Sequence, residues 1–204
     1  MAVQVNFSYD YDNEEEYFGS TLEDLPSYFT NEQSLHEICS GDALDIARNI
    51  LFLTPETVIE KLQTVDWQSF RFKIRLYLAK KIRRDFKNED NVPPANNFRA
   101  TFNLVHFVIL AQKPKLLQFL QSQDQSQVLN RVEVEDESKF VIREESWIFG
   151  ASSAHLATKF FPQGLDLILS EENICKALIN CKAGPRETYP IHVAALSTQT
   201  LSLQ

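Results

Sequence analysis

Glycine is scarce in this chain, five in 204 residues, and none of the five falls in a G-x-G-x-x-G, P-loop or G-x-S-x-G string. An H-E-x-x-H pair is missing as well, so the sequence offers no familiar phosphate cradle, acyl-transfer nucleophile or zinc-protease site. Cysteine is rare and odd in number, with Cys39, Cys175 and Cys181 and no C-x-x-C spacing. That argues against a disulfide framework and points to buried thiols in a reducing compartment. No apolar run approaches the roughly 18 residues of a membrane-spanning helix. The opening stretch MAVQVNFSYDYDNEEE has neither a basic start nor an apolar centre, so no secretory signal is expected, and the expected location is the cytoplasm and also the nucleus. A basic excess is missing too: the net charge of −8 argues against a general nucleic-acid binder. What is present, 44% hydrophobic and 24% charged residues, is globular, and the length suffices for one sizeable core or one array.

The chain has four histidines, and each is placed alike. His36 follows Gln-Ser-Leu, His106 follows Asn-Leu-Val, His155 follows Ser-Ser-Ala and His192 follows Tyr-Pro-Ile. A short apolar or small-residue run comes after each, and then an aliphatic cluster such as Leu116, Leu117 and Leu120, or Leu165, Ile168 and Leu169. Each unit reads as an apolar helix, a tight connection and a second helix, a pair that buries its apolar face only by stacking on a neighbour.

The strings YPIHVAA (189–195), GASSAHLATKFFPQGLDLIL (150–169), SLHEICSGDALDIARNIL (34–51) and NLVHFVILAQKPKLLQFL (103–120) together resemble the ankyrin repeat, whose signature is Thr-Pro-Leu-His followed by a small-residue helix. The resemblance covers about half the chain. It implies a mainly α fold, a helical solenoid with β-hairpin fingers, in which His36, His106, His155 and His192 are structural markers tying the starts of inner helices to nearby backbone. The histidine separations of 70, 49 and 37 residues depart from the family's period of about 33, and the few glycines imply divergent turns. The expected layout is an acidic, partly disordered leader over 1–30 and an array over 31–204. Repeat-like units lie near 31–53, 98–121, 147–171 and 185–204, with a helical insertion or degenerate repeat over 54–90 and an enlarged finger over 121–149. The array is expected to be truncated at 204, to continue beyond it, or to need a partner over its last helix.

Residues 1–30 carry seven acidic side chains and no basic one, with Tyr9, Tyr11, Tyr17 and Phe18 interleaved. Thr54-Pro55-Glu56 reads as a helix start, with Thr54 as cap and Pro55 in the first turn. The string LTPETVIEKLQ also faintly resembles the opening of an F-box. Residues 67–87 are expected as one amphipathic helix, because Phe70, Ile74, Tyr77, Leu78 and Ile82 recur at 3–4 spacing. Its other faces hold eight basic residues, among them Arg75, Lys80 and Arg83, against Asp85 alone. Contact between the acidic leader and this helix is expected to be weak, about 0–1 kcal/mol per exposed pair. QSQDQSQ (121–127) reads as a polar linker. Val132 and Val134 alternate with charged residues and are followed by Phe140–Ile142, which predicts a β-hairpin with an acidic tip.

The expected function is a non-catalytic protein–protein interaction module, inhibiting, sequestering or scaffolding a signalling or regulatory protein. The candidate contact residues are Lys139, Phe140, Arg143 and Trp147 in the finger and Arg75, Lys80 and Arg83 in the basic helix. No cofactor and no metal are expected, since the histidines are dispersed one per unit. The alternative suggested by the F-box likeness is a substrate-recruiting adaptor of a ubiquitin ligase or similar assembly. A third reading, a cysteine-dependent enzyme, rests on Cys39 lying one helical turn after His36.

Overall fold

The computed structural model describes residues 22, 25–78, 96–135 and 144–201. The chain is mainly helical, with one small antiparallel sheet. Four short helices come first: α1 (Leu25–Thr30), α2 (Glu32–Ile38), α3 (Asp42–Phe52) and α4 (Pro55–Leu62). Asn31 caps α2 by accepting from the Gln33 N–H at 3.0 Å. Thr54 caps α4 with Pro55 in the first turn, as the Thr-Pro-Glu string predicts.

The expected helix over 67–87 is replaced, within the described residues, by a 3₁₀ turn at Trp67–Ser69 and by strand β1 (Phe72–Leu78). Phe72, Ile74 and Leu76 are buried, while Lys73 and Arg75 are exposed, which is the period of a strand. Apolar residues at 70, 74, 77 and 78 satisfy a helical spacing as well, so periodicity alone left the choice open. Pairing decides it: β1 runs antiparallel to β2 (Asn96–Phe102) over seven residues, Phe72 opposite Phe102 and Leu78 opposite Asn96.

β2 leads through Asn103 into α5 (Leu104–Leu110), whose seven residues are all buried. A helix apolar on every side must sit centrally, and α5 is flanked by α1, α6, α7 and α8. α6 (Pro114–Gln123) and the short α7 (Ser126–Leu129) occupy the expected polar linker, and Gln121 is buried with its amide 3.4 Å from Ser170 Oγ. β3 (Glu133–Glu135) pairs antiparallel with β2, completing the order β1-β2-β3. The strand expected from Val132 and Val134 thus exists, but the neighbour it takes among the described residues is β2. A 3₁₀ turn (Glu144–Ile148) precedes α8 (Ser153–Phe160), and then come α9 (Leu165–Ile168), α10 (Glu172–Ile179) and α11 (Pro190–Leu201).

One core runs through all of this. At its N-terminal end Phe29 of α1 sits edge-on to Phe72, Phe102 and Phe107, with ring centres 6.4, 5.5 and 5.1 Å away. Leu22, Leu25 and Phe29 are buried in this core, so at these described positions the expected leader over 1–30 is not solvated. Aromatic edge-to-face contacts of this kind add about 0.5–1.5 kcal/mol each beyond the area they bury. No helix among the described residues is long and apolar enough to cross a membrane.

Candidate functional site

The best-built polar feature is a pair of buried histidines at helix starts. Asn103 precedes α5 in extended conformation, and its side-chain oxygen accepts from the His106 N–H at 2.9 Å. In return the Asn103 N–H donates to His106 Nδ1 at 3.3 Å. An Nδ1 that accepts leaves the ring proton on Nε2, which donates to the Asn130 carbonyl at 3.1 Å. Ser152 and His155 repeat the arrangement at α8. The Ser152 N–H and hydroxyl both lie on Nδ1, at 3.2 and 2.8 Å, and Nε2 donates to the Thr188 carbonyl at 2.8 Å. Each imidazole therefore closes a helix start and holds a turn 24 or 33 residues downstream.

Burial pushes the His106 ring down to about 4; nearby Arg71 pushes the same way, and the bond to Asn130 opposes both. His155 is lowered too, first by burial, against the Thr188 bond and with a contribution from Arg131. With both nitrogens engaged and no solvent contact, neither ring has a lone pair or a proton free for a substrate or a metal. Among the described residues no group of His, Cys, Asp and Glu is arranged to hold a metal ion.

The turns held by these histidines lie side by side. Val132 N–H donates to Ala151, Gly150 N–H to Val132, and Gly184 N–H to Phe149. Gly184 has φ +67°, and a Cβ there would come within 2.2 Å of the Ser146 carbonyl, so only glycine allows this approach. Trp147 is inside the stack, 4% exposed and stacked 6.3 Å from the His155 ring. Its expected role as a contact residue is thereby corrected: the indole fills core space between α8 and the turns. Lys139, Phe140, Arg143, Lys80 and Arg83 lie outside the described residues.

The other two histidines differ. His192 follows the rule halfway: the Tyr189 N–H donates to Nδ1 at 3.2 Å, but the ring is exposed. His36 departs from it. It lies in the last turn of α2, exposed, and accepts from Arg48 Nη2 at 2.6 Å. It marks no helix start, because the cap of α2 is Asn31. The proposed His36–Cys39 partnership is absent as well. The Cys39 thiol donates to the Leu35 carbonyl at 3.3 Å, and burial pushes it up to about 11, away from a reactive thiolate.

The described charged surface with the most structure behind it is the outer face of the sheet. Arg75 is exposed and stands directly opposite Arg99, on a strand and not on a helix. Glu135 lies 3.7 Å from Lys73 and 3.9 Å from Arg99, so one carboxylate serves two cations while Arg75 has no ion pair among the described residues. The sequence reading named Arg75 and missed Arg99, Lys73 and Glu135 as its neighbours. The alternation Phe98-Arg99-Ala100 was the available signal, but the cross-strand register was not.

No protein-family model, curated protein or solved structure matches the chain.

Proposed function

We propose that the chain is a non-catalytic protein-interaction module built on a divergent ankyrin-type array, a scaffold or sequestering factor for another protein. The observation that supports this best is the twofold use of histidine: an inner helix start tied by Nε2 to the backbone of a later turn, at Asn130 and at Thr188. The second separation, 33 residues, equals the repeat period of about 33 residues. On this reading α5 with α6, α8 with α9, and α11 are stacked repeat helices, and the laddered turns at 131–132, 149–152 and 183–188 are the bases of the fingers. His36 falls outside the array, which leaves α1–α4 with β1 and β2 as an N-terminal elaboration.

The partner surface we assign is the outer face of the sheet, Lys73, Arg75 and Arg99, and the partner is a protein with an acidic segment. Ordered strands present these cations in fixed positions, so binding costs little ordering entropy. Steering by such charges acts mainly on association rate and fades with salt. The test is affinity capture from a native lysate with the intact chain and with a Lys73→Glu/Arg75→Glu/Arg99→Glu variant. A protein held by the intact chain and released from the variant is expected. Capture that ignores the three reversals would remove this face from consideration.

A further inference from the structure

The charged face of the sheet continues along the chain before β3. From Arg131 to Glu135 the alternation is unbroken: Arg131, Glu133 and Glu135 are exposed, Val132 is buried and Val134 is half-buried. A period of two puts the three charged residues on one face. The cross-strand register joins that face to the cations of β1 and β2, with Glu135 opposite Arg99 and Arg99 opposite Arg75. At the other end Arg131 Nη1 donates to the Lys182 carbonyl at 3.1 Å. That bond brings in the turn at 183–188, closed by backbone bonds of 2.9 and 2.8 Å between Ala183 and Thr188. Lys182 beside this turn and Arg186 at its tip are exposed.

Charge therefore changes sign twice along one strip. Lys73, Arg75 and Arg99 form the first cationic end, where Glu135 lies 3.7 Å from Lys73 and 3.9 Å from Arg99. Arg131, Lys182 and Arg186 form the second, where Glu187 lies 2.6 Å from Lys182. Three cations against one carboxylate leave each end positive, and the exposed Glu133 stands between them. From the row of Arg99 and Glu135 to Arg131 the chain advances four residues, about 13 Å at the rise of a strand, with Glu133 midway.

We infer that the acidic segment bound by this protein is bipartite: an extended stretch with two acidic residues about four positions apart and a basic residue midway. Its carboxylates lie on Arg75 with Arg99 and on Arg131 with Arg186, and its cation on Glu133. The inference rests on the sheet-face reading above and gives that partner a charge order and a spacing. The order supplies selectivity. A uniformly acidic segment sets a carboxylate against Glu133, and like charges reject wrong partners more than opposite charges add affinity. Arg75 and Arg99 are a like-charge pair directly across two strands, an arrangement that an incoming carboxylate relieves. Both ends are held in place, the first by the strand ladder and the second by the Gly184 N–H donating to Phe149 at 2.6 Å, so binding needs little ordering of this chain.

The test uses the full chain, fluorescently labelled, on dense arrays of immobilised peptides at low salt. One peptide carries Asp-Thr-Lys-Thr-Asp. Its isomer Lys-Thr-Asp-Thr-Asp has the same composition and net charge, and threonine favours the extended form in both. Retention on the first is expected to exceed that on the isomer by about fivefold, the size of one or two exposed charge contacts. Arg75→Glu and Arg186→Glu are each expected to remove most of this preference, and Glu133→Lys to move it to Asp-Thr-Asp-Thr-Asp. Circular dichroism checks that the variants fold alike. Retention that falls with Arg75→Glu but ignores Arg186→Glu and the order of charges overturns the bipartite footprint and leaves the sheet face standing. Retention that ignores Arg75→Glu as well, or no retention on any peptide, removes both.

Discussion

His106 and His155 on one side, and His36 on the other, put the same side chain into two regions that use it oppositely. At His106 and His155 the imidazole is buried, neutral and bonded at both nitrogens, and it links segments far apart in sequence. In the N-terminal helices it is exposed and meets Arg48 at the surface. The three residues before each histidine explain the difference. Asn103 and Ser152 are good cap residues, so the helix begins there and the histidine falls at its third position, where Nδ1 reaches back to the cap N–H. Gln33 is a poor cap and Asn31 a good one, so α2 starts two residues earlier and carries His36 past that geometry. A shared residue type at a shared spacing marks a shared role only when the cap moves with it.

Substitution to alanine separates the two regions most sharply. Removing the His155 ring leaves the Ser152 N–H without its partner in a dry site, leaves the Thr188 carbonyl only its bond from the Ala183 N–H, and opens a cavity beside Trp147. A loss of about 3 kcal/mol is expected for His155→Ala, and a similar one for His106→Ala. His36→Ala is expected to stay within about 0.5 kcal/mol, as exposed substitutions do. Urea titrations of the three variants measure this. Equal losses at His36 and His155 would erase the distinction.

Acid should reveal the same contrast with somewhat smaller effect. His106 stays neutral in the folded chain down to about 4, whereas an unfolded histidine takes its proton near about 6.5. Between these values the unfolded chain binds a proton that the folded chain refuses, so stability is full above the upper value and falls as the pH drops toward the lower one. From pH 6.5 to 5 the expected loss is about 2 kcal/mol from His106 alone, and His155 acts in the same direction. Urea midpoints at a series of pH values check the slope. His106→Gln should flatten it and His36→Ala should not. A slope unchanged in His106→Gln would mean that the ring is reached by water.

Some helix starts could be read from the sequence because their information is local. Pro55 after Thr54 at α4, and a histidine tying the start of α5 and of α8 to nearby backbone, act within one helical turn. The sheet could not be read this way. Phe70, Ile74 and Tyr77 satisfy a helical period, while Phe72, Ile74 and Leu76 satisfy a strand period. The choice was made by residues 96–102, some 20–30 positions away. Trp147 was legible as apolar bulk, but whether it faced a partner or the core depended on the His155 ring it stacks on. The carbonyls of Asn130 and Thr188 carry no side-chain signal at all, although they complete the histidine sites.

The smallest effect tests whether the outer face of the sheet belongs to the fold or is free for recognition. Glu135 pairs with Lys73 and Arg99 at 3.7 and 3.9 Å, and all three side chains are more than half exposed, at 51%, 62% and 59%. Water and salt screen such contacts, so Glu135→Gln should cost about 0.5 kcal/mol at low salt and close to nothing at high salt. Arg75→Glu should shift stability by a similar amount in the favourable direction, since it replaces a like-charge pair with Arg99 by an opposite one. Thermal unfolding of both variants across a salt series measures the two shifts. Losses of the size predicted for His155→Ala would mean that these charges hold the fold as the buried histidines do, and the sheet face would no longer qualify as a surface kept for a partner.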